Sequence, residues 1–143
     1  MTVSIRHIGL VVNDISKSKD FWINVIGFSE FKYSEESGDK IDKMIGLKDI
    51  KVVTSKLKDK NGTILELLKF KSHPDKNHWS GNPYSTGLTH IALEVPNLEE
   101  ILFKIDKFGI KSNNEIIISD DKSVKVTYAK GPENLLIELV EKI

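Results

Sequence analysis

The chain has no cysteine, which removes disulfide frameworks, thiolate zinc sites and cysteine nucleophiles and gives no support to an oxidising compartment. Nor is there an excess of either charge: 21 Lys and Arg are matched by 21 Asp and Glu in 143 residues. The lysines are scattered rather than clustered, so neither a nucleic-acid partner nor a polybasic membrane surface is expected. No run of roughly 18 apolar residues is present to span a bilayer, and Met1 to Leu10 lacks the basic-then-apolar order of an export signal. A cytoplasmic protein is the expectation. Glycine-rich phosphate loops, Gly-x-Ser-x-Gly elbows and His-Glu-x-x-His helices are missing too. What is there, 39% hydrophobic residues in a chain of this length, suffices for one domain with a real core.

The chain also contains a faint internal repeat. Arg6-His7-Ile8-Gly9-Leu10-Val11-Val12-Asn13-Asp14-Ile15 aligns without gaps on Thr89-His90-Ile91-Ala92-Leu93-Glu94-Val95-Pro96-Asn97-Leu98. A helix-like stretch follows each and closes on glycine, Ser16 to Ile26 before Gly27 and Leu98 to Phe108 before Gly109. The first carries a stripe of Phe21, Trp22, Val25 and Ile26; the second carries Leu98, Ile101, Leu102, Ile105 and Phe108, with Asn97 as N-cap and Glu100 at N3. Each half then ends in a hairpin. Lys51 to Leu57 turns at Asn61-Gly62 into Thr63 to Phe70, and Ser123 to Ala129 turns through Gly131-Pro132-Glu133-Asn134 into Leu135 to Glu141.

The spacing predicts two strand-helix-three-strand modules within a single domain covering residues 1–143: module one over about 1–70, a Pro/Asn/Ser/Gly-rich linker over about 71–86, and module two over about 87–143. The two histidines lie 83 residues apart and the two corresponding acids 72 apart, so the first half is longer by about eleven residues, placed in Ser34 to Asp49. A module of this size leaves one sheet face bare, so two must pack together, within one chain or across two.

Four residues carry the chemistry: His7, Glu66, His90 and Glu138. Glu66 lies in Ile64-Leu65-Glu66-Leu67-Leu68 and Glu138 in Leu136-Ile137-Glu138-Leu139-Val140, aliphatic on both strand faces. Both read as buried, and an ionised carboxylate among aliphatics costs several kcal/mol unless paired or metal-bound. His7 shares a face with Gly9 and Val11, and His90 with Ala92 and Glu94. Taken singly, each is better explained by a hydrogen-bonded core histidine or a solvated edge-strand acid. Their duplication at repeat-equivalent positions points instead to a metal-binding set: two imidazoles and two carboxylates suit one divalent ion, Ni, Zn, Co, Mn or Fe, with positions left for substrate. His73, His78 and Trp79 fall in the linker and read as exposed loop residues or pocket-lining contacts. Trp22 reads as core, and Glu35-Glu36-Ser37-Gly38-Asp39-Lys40 as a solvated loop, a helix start or a flap.

The ordered set His7-Ile8-Gly9-Leu10-Val11-Val12, Glu66-Leu67-Leu68, His90-Ile91-Ala92-Leu93 and Glu138-Leu139-Val140-Glu141 resembles the vicinal oxygen chelate superfamily, which includes glyoxalase I, methylmalonyl-CoA epimerase, extradiol dioxygenases and the fosfomycin and bleomycin resistance proteins. The resemblance covers nearly the whole chain. It implies an α+β fold in which two paired βαβββ modules form a U-shaped mixed sheet around one divalent metal, commonly in a homodimer. The His/Glu/His/Glu set looks most like glyoxalase I, where the metal holds both oxygens of a hemithioacetal and a metal-site glutamate moves the proton; by that likeness Glu138 or Glu66 is the catalytic acid/base. Where bacterial glyoxalase I carries an arginine and an asparagine that hold glutathione, this chain has Val11 and Phe70. A less polar small-molecule substrate is therefore expected, handled by a lyase or isomerase rather than a true lactoylglutathione lyase. The resemblance implies alternatives: an Fe(II) ring-cleaving extradiol dioxygenase using His7, His90 and Glu138, a methylmalonyl-CoA epimerase-like enzyme, or a non-catalytic ligand- or antibiotic-binding protein.

Overall fold

The computed structural model describes residues 1–75, 82–112 and 114–143. The chain forms two compact units, Met1–Asn77 and His78–Ile143. Both are α+β and both repeat one topology.

In the first unit the order is β1 (Ile8–Val11), helix α1 (Ile15–Asp20), β2 (Ser29–Ser37), α2 (Asp39–Ile45), β3 (Lys51–Lys58) and β4 (Ile64–Phe70). Its sheet runs β1-β4-β3-β2, with β1 parallel to β4 and the other pairs antiparallel. The second unit runs β5 (His90–Glu94), α3 (Leu98–Lys107), β6 (Ile117–Ile118), β7 (Val124–Lys130) and β8 (Leu136–Lys142). Its sheet, β5-β8-β7-β6, again places the first strand parallel to the last. A parallel pair needs a crossover, and the helix supplies it in each unit. The expected βαβββ modules are thus present twice. Even the hydrogen bond that closes the parallel pair recurs, from Val12 N to Leu68 O and from Val95 N to Val140 O, both at 2.8 Å.

Capping residues fix where the helices begin and end. Asp14 accepts a hydrogen bond from Lys17 N at the start of α1, and Asn97 accepts one from Glu100 N at the start of α3, each satisfying a donor with no intrahelical partner. Gly27 and Gly109 close their helices at φ +97° and +96°, a left-handed conformation that costs a residue with a Cβ. The first helix differs from the expected regular one. From Phe21 to Ile26 it widens into a π-helical turn, in which Gly27 N reaches back to Trp22 O. Phe21 and Trp22 are adjacent in sequence yet both fully buried, and Trp22 packs edge-on against Phe21 and tilted against Phe28.

In each sheet the strand facing the parallel partner has one dry side. Leu65 and Leu67 on β4, with Leu57 and Ser55 across from them on β3, are buried with Phe21 and Trp22 in the first unit. Ile137 and Leu139 on β8 are buried in the second, as are Leu98, Ile101 and Ile105 of the α3 stripe. Glu66 and Glu138 lie on the opposite faces, between these positions.

The surplus of the first half is mostly α2. The acidic stretch expected as a solvated loop, helix start or flap divides at Gly38: Glu35 to Ser37 complete the long strand β2, and Asp39 opens α2. Ile41 of α2 forms a small core with Ile50 and Val52, against which Leu68 and Phe70 pack. Val52 and Phe70 are register partners, and Leu68 is two residues from Glu66. So α2 covers one end of the same sheet face that bears Glu66.

Candidate metal centre

Register places each histidine beside its glutamate. Gly9 on β1 is the partner of Glu66 on β4, and Ala92 on β5 is the partner of Glu138 on β8. The histidine two residues before each small residue shares its face, so imidazole and carboxylate meet diagonally. His7 Nε2 lies 3.8 Å from Glu66 Oε2, and His90 Nε2 lies 3.2 Å from Glu138 Oε2. Small residues at 9 and 92 leave the rings room.

The four side chains are not buried as the strand pattern implied. His7 and His90 are each 33% exposed, Glu138 25% and Glu66 12%. The reason is the sheet face: α1 and α3 pack against their sheets on the Leu65/Leu67 and Ile137/Leu139 sides, while the acids point the other way. Half-buried carboxylates with an open side are reachable by a ligand.

Each acid has a further neighbour directly across the hairpin. Lys56 on β3 is the register partner of Glu66, with Nζ 3.4 Å from Oε2. Tyr128 on β7 is the partner of Glu138 and donates its hydroxyl to Oε2 at 3.5 Å, its ring edge-on to His90 with centroids 5.3 Å apart. Burial first, and then the charge of Glu138 and the hydrogen bond to it, push the Tyr128 phenol above its ordinary value. Thr89 Oγ1 lies 3.1 Å from His90 Nδ1. That hydroxyl can accept from Nδ1–H, the second contact that a metal-ligating imidazole needs when Nε2 serves as the donor to an ion.

The strand pattern did not disclose Lys56, Tyr128 and Thr89. The available signal was register: Lys56 and Tyr128 each stand ten residues before their glutamate, on the other arm of a hairpin. Val11 is exposed, whereas Phe70 is engaged in packing α2 and is therefore not a free apolar surface for a ligand. His73 is an exposed bend residue whose Nδ1 lies 2.8 Å from Ser72 Oγ. His78 and Trp79 lie outside the described residues. Trp22 is core, as expected.

Comparison with known proteins bears on the same residues. The model of the Glyoxalase/Bleomycin resistance protein/Dioxygenase superfamily matches residues 4–139, a span containing both His/Glu pairs. The chain belongs to this superfamily. Among its relatives, the uncharacterized protein YwkD of Bacillus subtilis (strain 168) is 29% identical over 97% of both chains, and the uncharacterized protein YaeR of Escherichia coli (strain K12) is 24% identical over 96% of this chain and 95% of its own. The superfamily fold is shared with a glyoxalase family protein from Bacillus cereus, at a TM-score of 0.87 and 20% identity, covering 100% of this chain and 96% of that one. It is also shared with a mutant of the fosfomycin resistance protein FosX from Listeria monocytogenes complexed with Mn(II) and 1S,2S-dihydroxypropylphosphonic acid, at 0.66 and 18%, covering 97% and 90%.

The donor chemistry fits a divalent ion of the kind that superfamily members hold. Each unit brings one imidazole nitrogen and one carboxylate oxygen together, and within neither unit do three or more His, Asp or Glu side chains cluster among the described residues. No helix among the described residues is long and apolar enough to cross a membrane.

Proposed function

We propose that the protein is a divalent-metal-dependent lyase or isomerase, glyoxalase I-like in its ligand set, acting on a small molecule that presents two neighbouring oxygens. The ion would be held by His7, Glu66, His90 and Glu138, from one chain or from two copies in a homodimer. The observation that supports this reading is the recurrence of one His/Glu pair at equivalent register positions of the two sheets. A bound Ni, Zn, Co, Mn or Fe ion supplies Lewis-acid polarisation of a substrate carbonyl. The chain's residues do the rest. Glu66 or Glu138 would accept the proton from the hydroxyl-bearing carbon beside that carbonyl and return it to the carbonyl carbon, while the hydroxyl proton passes to the former carbonyl oxygen, and the histidines would hold the ion. Thr89 Oγ1 would accept from His90 Nδ1–H while Nε2 holds the ion.

The test is isomerisation in deuterated water with metal-loaded protein, across hemithioacetals and acyl-CoA esters. Solvent deuterium in the product supports the reading, and its absence throughout the panel counts against it. The Lys56–Glu66 pair favours one second reading. If Lys56 withholds Glu66, three ligands remain, His7, His90 and Glu138, as in a ring-cleaving Fe(II) dioxygenase, and oxygen consumption with catechols separates the two.

A further inference from the structure

On the face of the first sheet that bears Glu66, four polar side chains form a block without a counterpart in the second unit. Lys32 on β2 is the register partner of Lys56 on β3, and Ser34 is the partner of Thr54. Lys56 is in turn the partner of Glu66, so strand alternation sets all four on the Glu66 side. At the equivalent positions the second sheet carries Tyr128 for Lys56, Val126 for Thr54 and Ile117 for Ser34. The fold itself therefore does not require polar groups there. We propose that Lys32, Ser34, Thr54 and Lys56 bind a tetrahedral dianion, the phosphate group of a small phosphorylated molecule. The site belongs to the first unit alone, and only the step of making that molecule the substrate rests on the metal reading above.

Two features of the block are unfavourable to the fold alone. Like charges directly opposite one another across a ladder repel, and Lys32 and Lys56 are such a pair. The ion pair of Lys56 with Glu66, at 3.4 Å, engages one of its three N–H donors, while Lys32 has no anionic partner among the described residues. Thr54 is only 7% exposed, yet its hydroxyl makes no hydrogen bond to any described residue, and neither does that of half-buried Ser34. A buried hydroxyl without a partner destabilises a fold relative to an apolar group of the same shape, and Val126 shows that valine is accommodated at this register position. A phosphate answers all four side chains together. It carries a charge of about −2 and several strong acceptor oxygens, so both hydroxyls can donate to it and both ammoniums can donate to it and balance its charge. The four positions are neighbours, about 5 Å apart across the strands and about 7 Å along them, within reach of one group of this size given the long lysine stems. Glu36 lies beyond Ser34, opposite Val52, and Glu66 lies beyond Lys56, so the strand carboxylates of this face flank the block and leave its centre free of negative charge. Buried Val52 and the partly buried Leu68 continue the face toward α2, an apolar border beside which charge-assisted hydrogen bonds are strengthened.

The experiment is calorimetric titration of the full chain with inorganic phosphate and with acetate, at low ionic strength, with metal content measured on the same samples. The wild type is expected to bind phosphate saturably and acetate far more weakly. Lys32→Met and Thr54→Val should each weaken phosphate binding about tenfold, and Thr54→Ser should recover it. Lys60→Met, which removes the same charge from the exposed β3–β4 turn, should bind like the wild type. Thermal unfolding separates ligand binding from a structural role: Thr54→Val should melt at or above the wild-type temperature while its phosphate binding falls. A wild type that binds no phosphate, or binds acetate as well as phosphate, overturns the proposal. So does a Thr54→Val variant with unchanged affinity, or a loss in Lys60→Met equal to that in Lys32→Met. Phosphate binding by a chain that takes up no divalent ion supports this site and contradicts the metal reading alone, whereas an ion-loaded chain indifferent to phosphate overturns this site and leaves the metal reading standing.

Discussion

Lys56 and Tyr128 occupy the same register position in the two sheets, each directly across its hairpin from the glutamate of that unit. The repeat is close enough to preserve the neighbours of the acids and loose enough to give them different chemistry. Equivalent backbones therefore hold carboxylates with different neighbours, an ammonium beside Glu66 and a phenol beside Glu138.

Thr89 should matter through His90 alone. Replacing it with valine keeps the volume and removes the oxygen 3.1 Å from Nδ1. Metal affinity is expected to fall about tenfold with little change in unfolding temperature, and Thr89→Ser should recover most of it. A chelator titration checks the first and a thermal melt the second.

The packing of α2 on the Glu66 face gives a stability expectation. Ile41 is 6% exposed and meets Ile50 and Val52. Ile41→Ala should cost about 2–4 kcal/mol, read from urea unfolding. Amide exchange in Asp39–Ile45 should accelerate beyond that of the β3–β4 ladder, because α2 is too short to hold its shape without this contact.

Asp121 gives a pH dependence far from the site. Its carboxylate accepts hydrogen bonds from the Ser119 and Ser123 hydroxyls and from Ser123 N–H, which lower its pKa from 3.8 to about 2. A folded-state value below the unfolded one stabilises the fold above the unfolded pKa, and that contribution is lost as pH falls from about 4 toward 2. The stability difference between wild type and Asp121→Asn should therefore be full near neutrality and disappear near pH 2. Urea unfolding at stepped pH measures it, and a difference constant with pH would refute the hydrogen-bonding account of this turn.

Much of the fold was legible because its signals are local. Asn97 and Glu100 define a helix start, Gly27 and Gly109 define ends, and the turns at Asn61-Gly62 and Gly131 to Asn134 define hairpins whatever surrounds them. His7, Glu66, His90 and Glu138 stood out as a set because the repeat copies one histidine and one acid into each half, whereas the pairing of each histidine with its own glutamate came from strand register. Three features depended on tertiary context. The π-helical turn over Phe21–Ile26 leaves no mark in the sequence, because a stripe of Phe21, Trp22, Val25 and Ile26 suits a regular helix equally well. The exposure of the acids depends on which sheet face the helix covers, and a strand aliphatic on both sides does not say. Lys56 and Tyr128 gain meaning only from register, since sequence neighbours such as Ser55 and Leu57 point to the buried face.

Metal content of the untagged protein and of its His7→Ala and His90→Ala variants, by mass spectrometry after purification and after reconstitution, tests the proposed ligand set most directly. His7 and His90 belong to different units and different pairs. About one divalent ion per chain in the wild type, lost from both folded variants, is the expected result, because a single ion held by both pairs fails when either is broken. A wild-type chain that retains no ion, or a His7→Ala variant that keeps its full complement, would contradict the shared centre.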